Sequence, residues 1–131
     1  MIGADPAFYL QRKIGAWGKS GLDIFDPAAL AEYQAYFSDP ATIHASCEDY
    51  RAAASIDLDH DAADADARIT CPLLVLWGAK GLVGNTYDVL QTWRDKATDV
   101  RGHALPCGHF LPEEQPDATL DAFLEFFSPS A

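Results

Sequence analysis

Leu105-Pro106-Cys107-Gly108-His109-Phe110-Leu111-Pro112-Glu113-Glu114 is the stretch of this chain that holds the most chemistry. It places a histidine just after a short predicted strand and just before a helix opened by proline. A histidine held in a loop by rigid flanks takes a proton from water near neutral pH. Pro106 and Pro112 supply those flanks. A base alone does not hydrolyse a substrate at a useful rate, and no Gly-x-Ser-x-Gly and no phosphate loop occurs in the chain. Cys107 invites a Cys-His pair with His109, but two residues apart on a tight loop their side chains do not face each other. The chain reads as the base-bearing part of an enzyme whose nucleophile lies outside it.

Other polar groupings are weaker. His44, Glu48 and Arg51 follow i, i+4, i+7 spacing, which on a helix is ordinarily a solvated polar stripe. Asp57, Asp59 and Asp61 imitate the start of a calcium loop. Ala62 stands where that loop needs glycine, and Arg68 where it needs a glutamate ligand. His103 falls within a predicted strand and reads as structural. No metal and no cofactor is expected.

The 131 residues amount to about one domain. Hydrophobic residues make up 49%, enough to rule out disorder throughout. The formal net charge of −11 argues against nucleic-acid binding, which needs basic patches. No apolar run approaches the ~20 residues of a membrane span, and Asp5 and Arg12-Lys13 interrupt any signal-like run at the start. Three cysteines, Cys47, Cys71 and Cys107, are odd in number and lack metal-binding spacing, so a cytoplasmic location is expected.

The elements that must position the histidine divide the chain in two. Residues 1–66 read as helical. Asp5-Pro6, Asp26-Pro27 and Asp39-Pro40 each set an acidic cap before a proline at the first helical position. Helices are predicted from Pro6 into the glycine-rich turn at 15–21, over 28–37, over 41–54 and over 57–67. In the third, Ile43, Cys47, Tyr50 and Ala54 share one face, which predicts burial for Tyr50. Residues 67–131 alternate. Pro72-Leu73-Leu74-Val75-Leu76-Trp77 is a continuous apolar run, suited to a strand buried on both faces of a parallel sheet. A glycine-rich loop over 78–85 follows, then a helix over 87–96 with Val89, Leu90 and Trp93 inward, a strand over 100–105, the histidine loop, and a helix over 114–127 carrying Leu120, Phe123, Leu124 and Phe127. This is the closing unit of a doubly wound α/β sheet. Two parallel strands leave bare edges, so further strands are expected from elsewhere.

Taken together, these residues resemble the C-terminal portion of a haloacetate (fluoroacetate) dehalogenase of the α/β-hydrolase superfamily. The carriers are Ile2-Gly3-Ala4-Asp5-Pro6, Trp17-Gly18-Lys19, Asp39-Pro40-Ala41-Thr42-Ile43-His44-Ala45, Cys47-Glu48-Asp49-Tyr50-Arg51-Ala52, Trp77-Gly78-Ala79 and Leu105-Pro106-Cys107-Gly108-His109-Phe110. The resemblance implies a partial α/β-hydrolase fold: a helical cap (lid) segment over 1–66, then the last two parallel strands and the C-terminal helix over 67–131. It implies that an aspartate outside this chain displaces halide from a haloacetate and that His109 activates the water that hydrolyses the resulting ester. Tyr50 matches a lid tyrosine that donates to the leaving halide, and Trp17 a lid tryptophan near the pocket. A homodimer of the intact protein is also what the resemblance suggests.

Many α/β-hydrolases place a triad acid in the loop after the first of these strands, as Trp-Gly-x-x-Asp. Here Trp77-Gly78-Ala79-Lys80-Gly81-Leu82-Val83-Gly84 holds no carboxylate. Haloacetate dehalogenases draw that acid from an earlier strand end, so the gap favours the dehalogenase over an esterase. An epoxide hydrolase or esterase of the same superfamily, or an inactive truncated fragment, are the alternatives.

Overall fold

The computed structural model describes residues 2–18 and 20–128. These form two compact units: residues 2–13 with 27–67, and residues 14–26 with 68–128. Residues 14–26 thus cluster with the later part of the chain and not with the helices that flank them in sequence.

The first unit is helical. A helix α1 spans Pro6–Trp17, and its residues up to Lys13 belong here. α2 is Pro27–Phe37, α3 Pro40–Ala53 and α4 Ile56–Ala63. The Asp-Pro openings at Asp5 and Asp39 act as caps. The Asp5 carboxylate accepts the Phe8 N–H at 3.0 Å and that of Asp39 accepts the Ala41 N–H at 2.8 Å, each satisfying a donor that a helix start leaves unpaired. Tyr9 stacks on Phe37 with ring centroids 6.0 Å apart, and Lys13 Nζ lies over the Tyr9 ring, 5.7 Å from its centroid. α4 stops at Ala63, short of the expected 67. Its Ile56 and Leu58 are exposed, so little packing supports a short helix. Asp61 and Asp64 at its end oppose the helix dipole.

The second unit is built on two parallel strands, β1 (Leu73–Gly78) and β2 (Val100–Leu105), paired in register from Leu73 opposite Val100 to Gly78 opposite Leu105. A bridge between Ile69 and Ala97 continues the pairing upstream. Between the strands run α5 (Leu82–Thr86) and α6 (Val89–Arg94), and after β2 come α7 (Leu111–Glu114) and α8 (Pro116–Phe127). The core gathers Val75, Val89, Ala97, Leu105, Cys107 and Ala122.

Four expectations need correction. β1 is not buried on both faces: only Val75 and Gly78 are buried, because two strands lack the neighbours and covering layers of a full parallel sheet. The loop over 78–85 contains α5, closed by the Asn85 side-chain amide donating to the Gly81 carbonyl at 2.6 Å. In α6 only Val89 is buried, whereas Trp93 is exposed. The helix expected over 114–127 is broken at Gln115 (φ −143°, ψ 61°), since Pro116 pushes the preceding residue out of the helical region. In α8, Thr119 and Ala122 face inward, and Leu120, Phe123, Leu124 and Phe127 stay exposed.

Candidate active site

His109 sits in the second unit, on the loop between β2 and α7, and three backbones converge to hold that loop. At the end of β1, a methyl group on Gly78 would overlap the Gly108 carbonyl oxygen. On the other side, a methyl group on Gly108 would come 2.5 Å from the Gly18 carbonyl carbon and 2.6 Å from the Trp17 carbonyl oxygen. Glycine is required at both positions because main chain meets main chain there. The loop is also hydrogen-bonded across: the Lys80 N–H donates to the Cys107 carbonyl at 2.9 Å, and the His109 N–H to the Trp17 carbonyl at 3.1 Å.

The imidazole stands between two aromatic rings. Trp17 meets it edge to face at 5.2 Å and 72°, and Phe110 at 5.0 Å and 88°. Phe110 is pinned in turn by the buried Phe25 at 5.6 Å. His109 itself is solvent-exposed. It opens onto a cavity of about 240 Å³ lined by Trp17, Leu82, Val83 and His109. A second cavity of about 180 Å³ runs behind it along Trp77, Gly78 and Leu111, sharing Leu82, Val83 and His109. The wall is apolar apart from one ionisable base, the setting in which a base acts on a small substrate or a trapped water.

Cys107 is not a partner for that base. Its side chain is 2% exposed, and burial raises its thiol above the ordinary 9.0. The Glu114 carboxylate raises it further, and Lys80 pulls the other way. A buried thiol held protonated is a poor nucleophile.

Of the three residues singled out from sequence, Trp17 and His109 come together in the second unit. Trp17 is the last residue of α1 rather than part of an open loop, and is 40% exposed. Tyr50 lies in the first unit, near the end of α3, and is 67% exposed. The burial expected from its helical face is not found: Ile43 and Cys47 are half-buried, while Tyr50 on the same face is exposed. Lys19 falls outside the described residues. The stripe on α3 is solvated as expected, with Arg51 donating to Glu48 and His44 Nδ1 3.8 Å from the same carboxylate. Among the described residues, no group of three or more His, Cys, Asp or Glu side chains is placed to hold a metal ion.

Sequence reasoning missed Glu114. Its carboxylate accepts the Gly108 N–H at 2.9 Å and the Phe110 N–H at 3.1 Å, the two amides on either side of His109, and the Ser20 hydroxyl at 3.2 Å. The available signal was an acidic residue in the first turn after Pro112, a position from which a carboxylate can reach back to free amides.

The strand, helix, strand, histidine-loop and helix order, with an exposed imidazole over an apolar cavity, matches known proteins along nearly the whole chain. A protein of Nostoc sp. PCC 7120 described as an α/β hydrolase superposes with a TM-score of 0.94 at 56% identity, over 98% of this chain and 44% of that one. The chain carries part of an α/β-hydrolase fold. Fluoroacetate dehalogenase of a Burkholderia species is 39% identical over 128 residues, 98% of this chain and 42% of its own length. Soluble epoxide hydrolase of a Corynebacterium species (strain C12) is 31% identical over 131 residues, 44% of its own length. The chain therefore spans less than half the length of the curated relatives it matches, and its resemblance is to the C-terminal portion of such an enzyme. No protein-family model matches it. No described helix is long and apolar enough to cross a membrane.

Proposed function

We propose that this part of an α/β hydrolase supplies the water-activating base and the cap segment of a haloacetate dehalogenase, which converts a haloacetate to glycolate and halide. The observation that carries the reading is His109, fixed by backbone contacts and set against Trp17 at the mouth of an apolar cavity. The higher identity to the fluoroacetate dehalogenase supports the dehalogenase over the epoxide hydrolase.

The reaction divides into two steps. An aspartate outside this chain attacks the halogen-bearing carbon, a C–O bond forms, and halide leaves with the C–X electron pair. His109 then takes a proton from water, the oxygen adds to the ester carbonyl, and the ester bond breaks; the imidazolium returns its proton to the departing glycolate oxygen, and the aspartate is freed as the carboxylate with release of a proton to water. Tyr50 donates to the departing halide, and Trp17 lines the pocket. A haloacetate is an anion and the chain carries −11, so cations close to the site must outweigh the overall field. Those cations come from the nucleophile's side, and the 131 residues alone are expected not to bind haloacetate tightly. The protein acts in the cytoplasm, in keeping with its three free cysteines.

His109→Asn in the full-length protein tests the reading. Displacement needs no base, so the variant should release about one halide per site and stop, with the acyl-methylene mass held on the aspartate. Repeated turnover would show that another base serves. No halide at all would mean that the histidine acts before displacement, as it does with a serine nucleophile. An epoxide hydrolase shares the base, and substitution of epoxide for haloacetate in the same trapping experiment separates the two.

A further inference from the structure

Resting on the reading of His109 as base, we infer that Glu114 is the positioning residue that sets it. Gly108 and Phe110 bracket His109, and both of their amides donate to the one carboxylate, Gly108 to Oε2 at 2.9 Å and Phe110 to Oε1 at 3.1 Å. The His109 amide between them donates to the Trp17 carbonyl at 3.1 Å. Three successive N–H groups are thus held from outside the loop. The Ser20 hydroxyl joins Oε2 at 3.2 Å, so the same carboxylate ties the segment after α1, which carries Trp17, to the loop that carries the base.

The chemistry asks for a carboxylate. Three donors meet two oxygens, and an ionised acceptor forms bonds roughly twice as strong as a neutral one. Glutamine would keep one oxygen and turn an NH2 toward an N–H. Glu114 acts through the main chain and Ser20 and makes no bond to the imidazole, so it does not replace the triad acid missing after β1. Its effect falls on where the ring sits, and hence on the step that uses the ring.

The test uses the full-length protein. In the wild type, hydrogen exchange at the Gly108 and Phe110 amides should be slowed at least ~100-fold relative to an open loop; exchange at open-loop rates would overturn the inference without any variant. Glu114→Gln should restore rapid exchange at both amides. It should lower kcat roughly 10- to 100-fold and KM in proportion, leaving kcat/KM and the first-turnover halide burst within about 3-fold, because only water activation depends on ring placement. Unchanged kcat, or a burst lost in proportion to kcat, would each overturn it. If the variant does not fold, the wild-type exchange decides. Failure of the His109→Asn trap would remove the base reading while leaving the exchange result standing, so the two failures are distinct.

Discussion

Gly108→Ala offers a severe trial of the idea that the histidine loop is locked by backbone packing. The new methyl would sit 2.6 Å from the Trp17 carbonyl oxygen and 2.5 Å from the Gly18 carbonyl carbon, where ordinary contact begins at 3.4 Å. Both neighbours are main chain and cannot rotate aside. Relief requires the loop and the end of α1 to part by roughly 1 Å, which stretches the 3.1 Å bond from the His109 N–H to Trp17 to about 4 Å, beyond a hydrogen bond. Overpacking costs about 1–3 kcal/mol, and one lost hydrogen bond adds about 1 kcal/mol. The expected loss is thus about 2–4 kcal/mol. Displacing the base by this distance lowers turnover by about 100-fold. Urea unfolding of the full-length variant, read as a lower midpoint at unchanged slope, measures the first figure, and steady-state halide release measures the second. Gly3→Ala is the control, since a methyl there meets nothing within 4 Å. If Gly108→Ala matched that control in both assays, the packing argument would be refuted.

Tyr50→Phe in the full-length protein should slow halide departure by about 10- to 1000-fold, most for fluoride, the strongest acceptor and poorest leaving group; equal losses across halides would mean that Tyr50 makes no hydrogen bond to the departing halide. Burial raises the Cys107 thiol, so the folded state holds this proton more tightly than the unfolded one. Its contribution is fully present below pH 9.0, the ordinary value, and is lost as pH rises through the folded value. Unfolding midpoints of the wild type should therefore fall more steeply above that pH than those of Cys107→Ala, and parallel curves would contradict this. The 131-residue chain by itself should bind an apolar-surface dye, because Leu120, Phe123, Leu124 and Phe127 of α8 are all exposed; a cooperative melt without dye binding would speak against an uncovered face.

Local signals were the legible ones. The apolar run ending at Trp77-Gly78 and the span 100–105 mark β1 and β2 closely, and Asp5 and Asp39 cap helices as their Asp-Pro pairs foretell. The break at Gln115 was also readable, since a residue before proline resists helix, but the apolar spacing of α8 masked it. Contacts between distant segments were not readable. Nothing local to Glu114 announces Ser20, 94 residues away, and nothing in Trp17 announces the His109 amide. The burial expected for Tyr50 came from helical periodicity, which says which residues share a face and not whether anything covers it.

The bonds that hold the histidine loop end on peptide groups and on one carboxylate, so they carry almost no information about the side chains within the loop. Such a frame is indifferent to the reaction run opposite it. With His109 read as the base, the electrophile, the leaving group or the pocket wall can be exchanged while the histidine stays where it stands. That independence gives a physical reason why one stretch of about 130 residues recurs at appreciable identity in proteins named for dehalogenation and for epoxide opening.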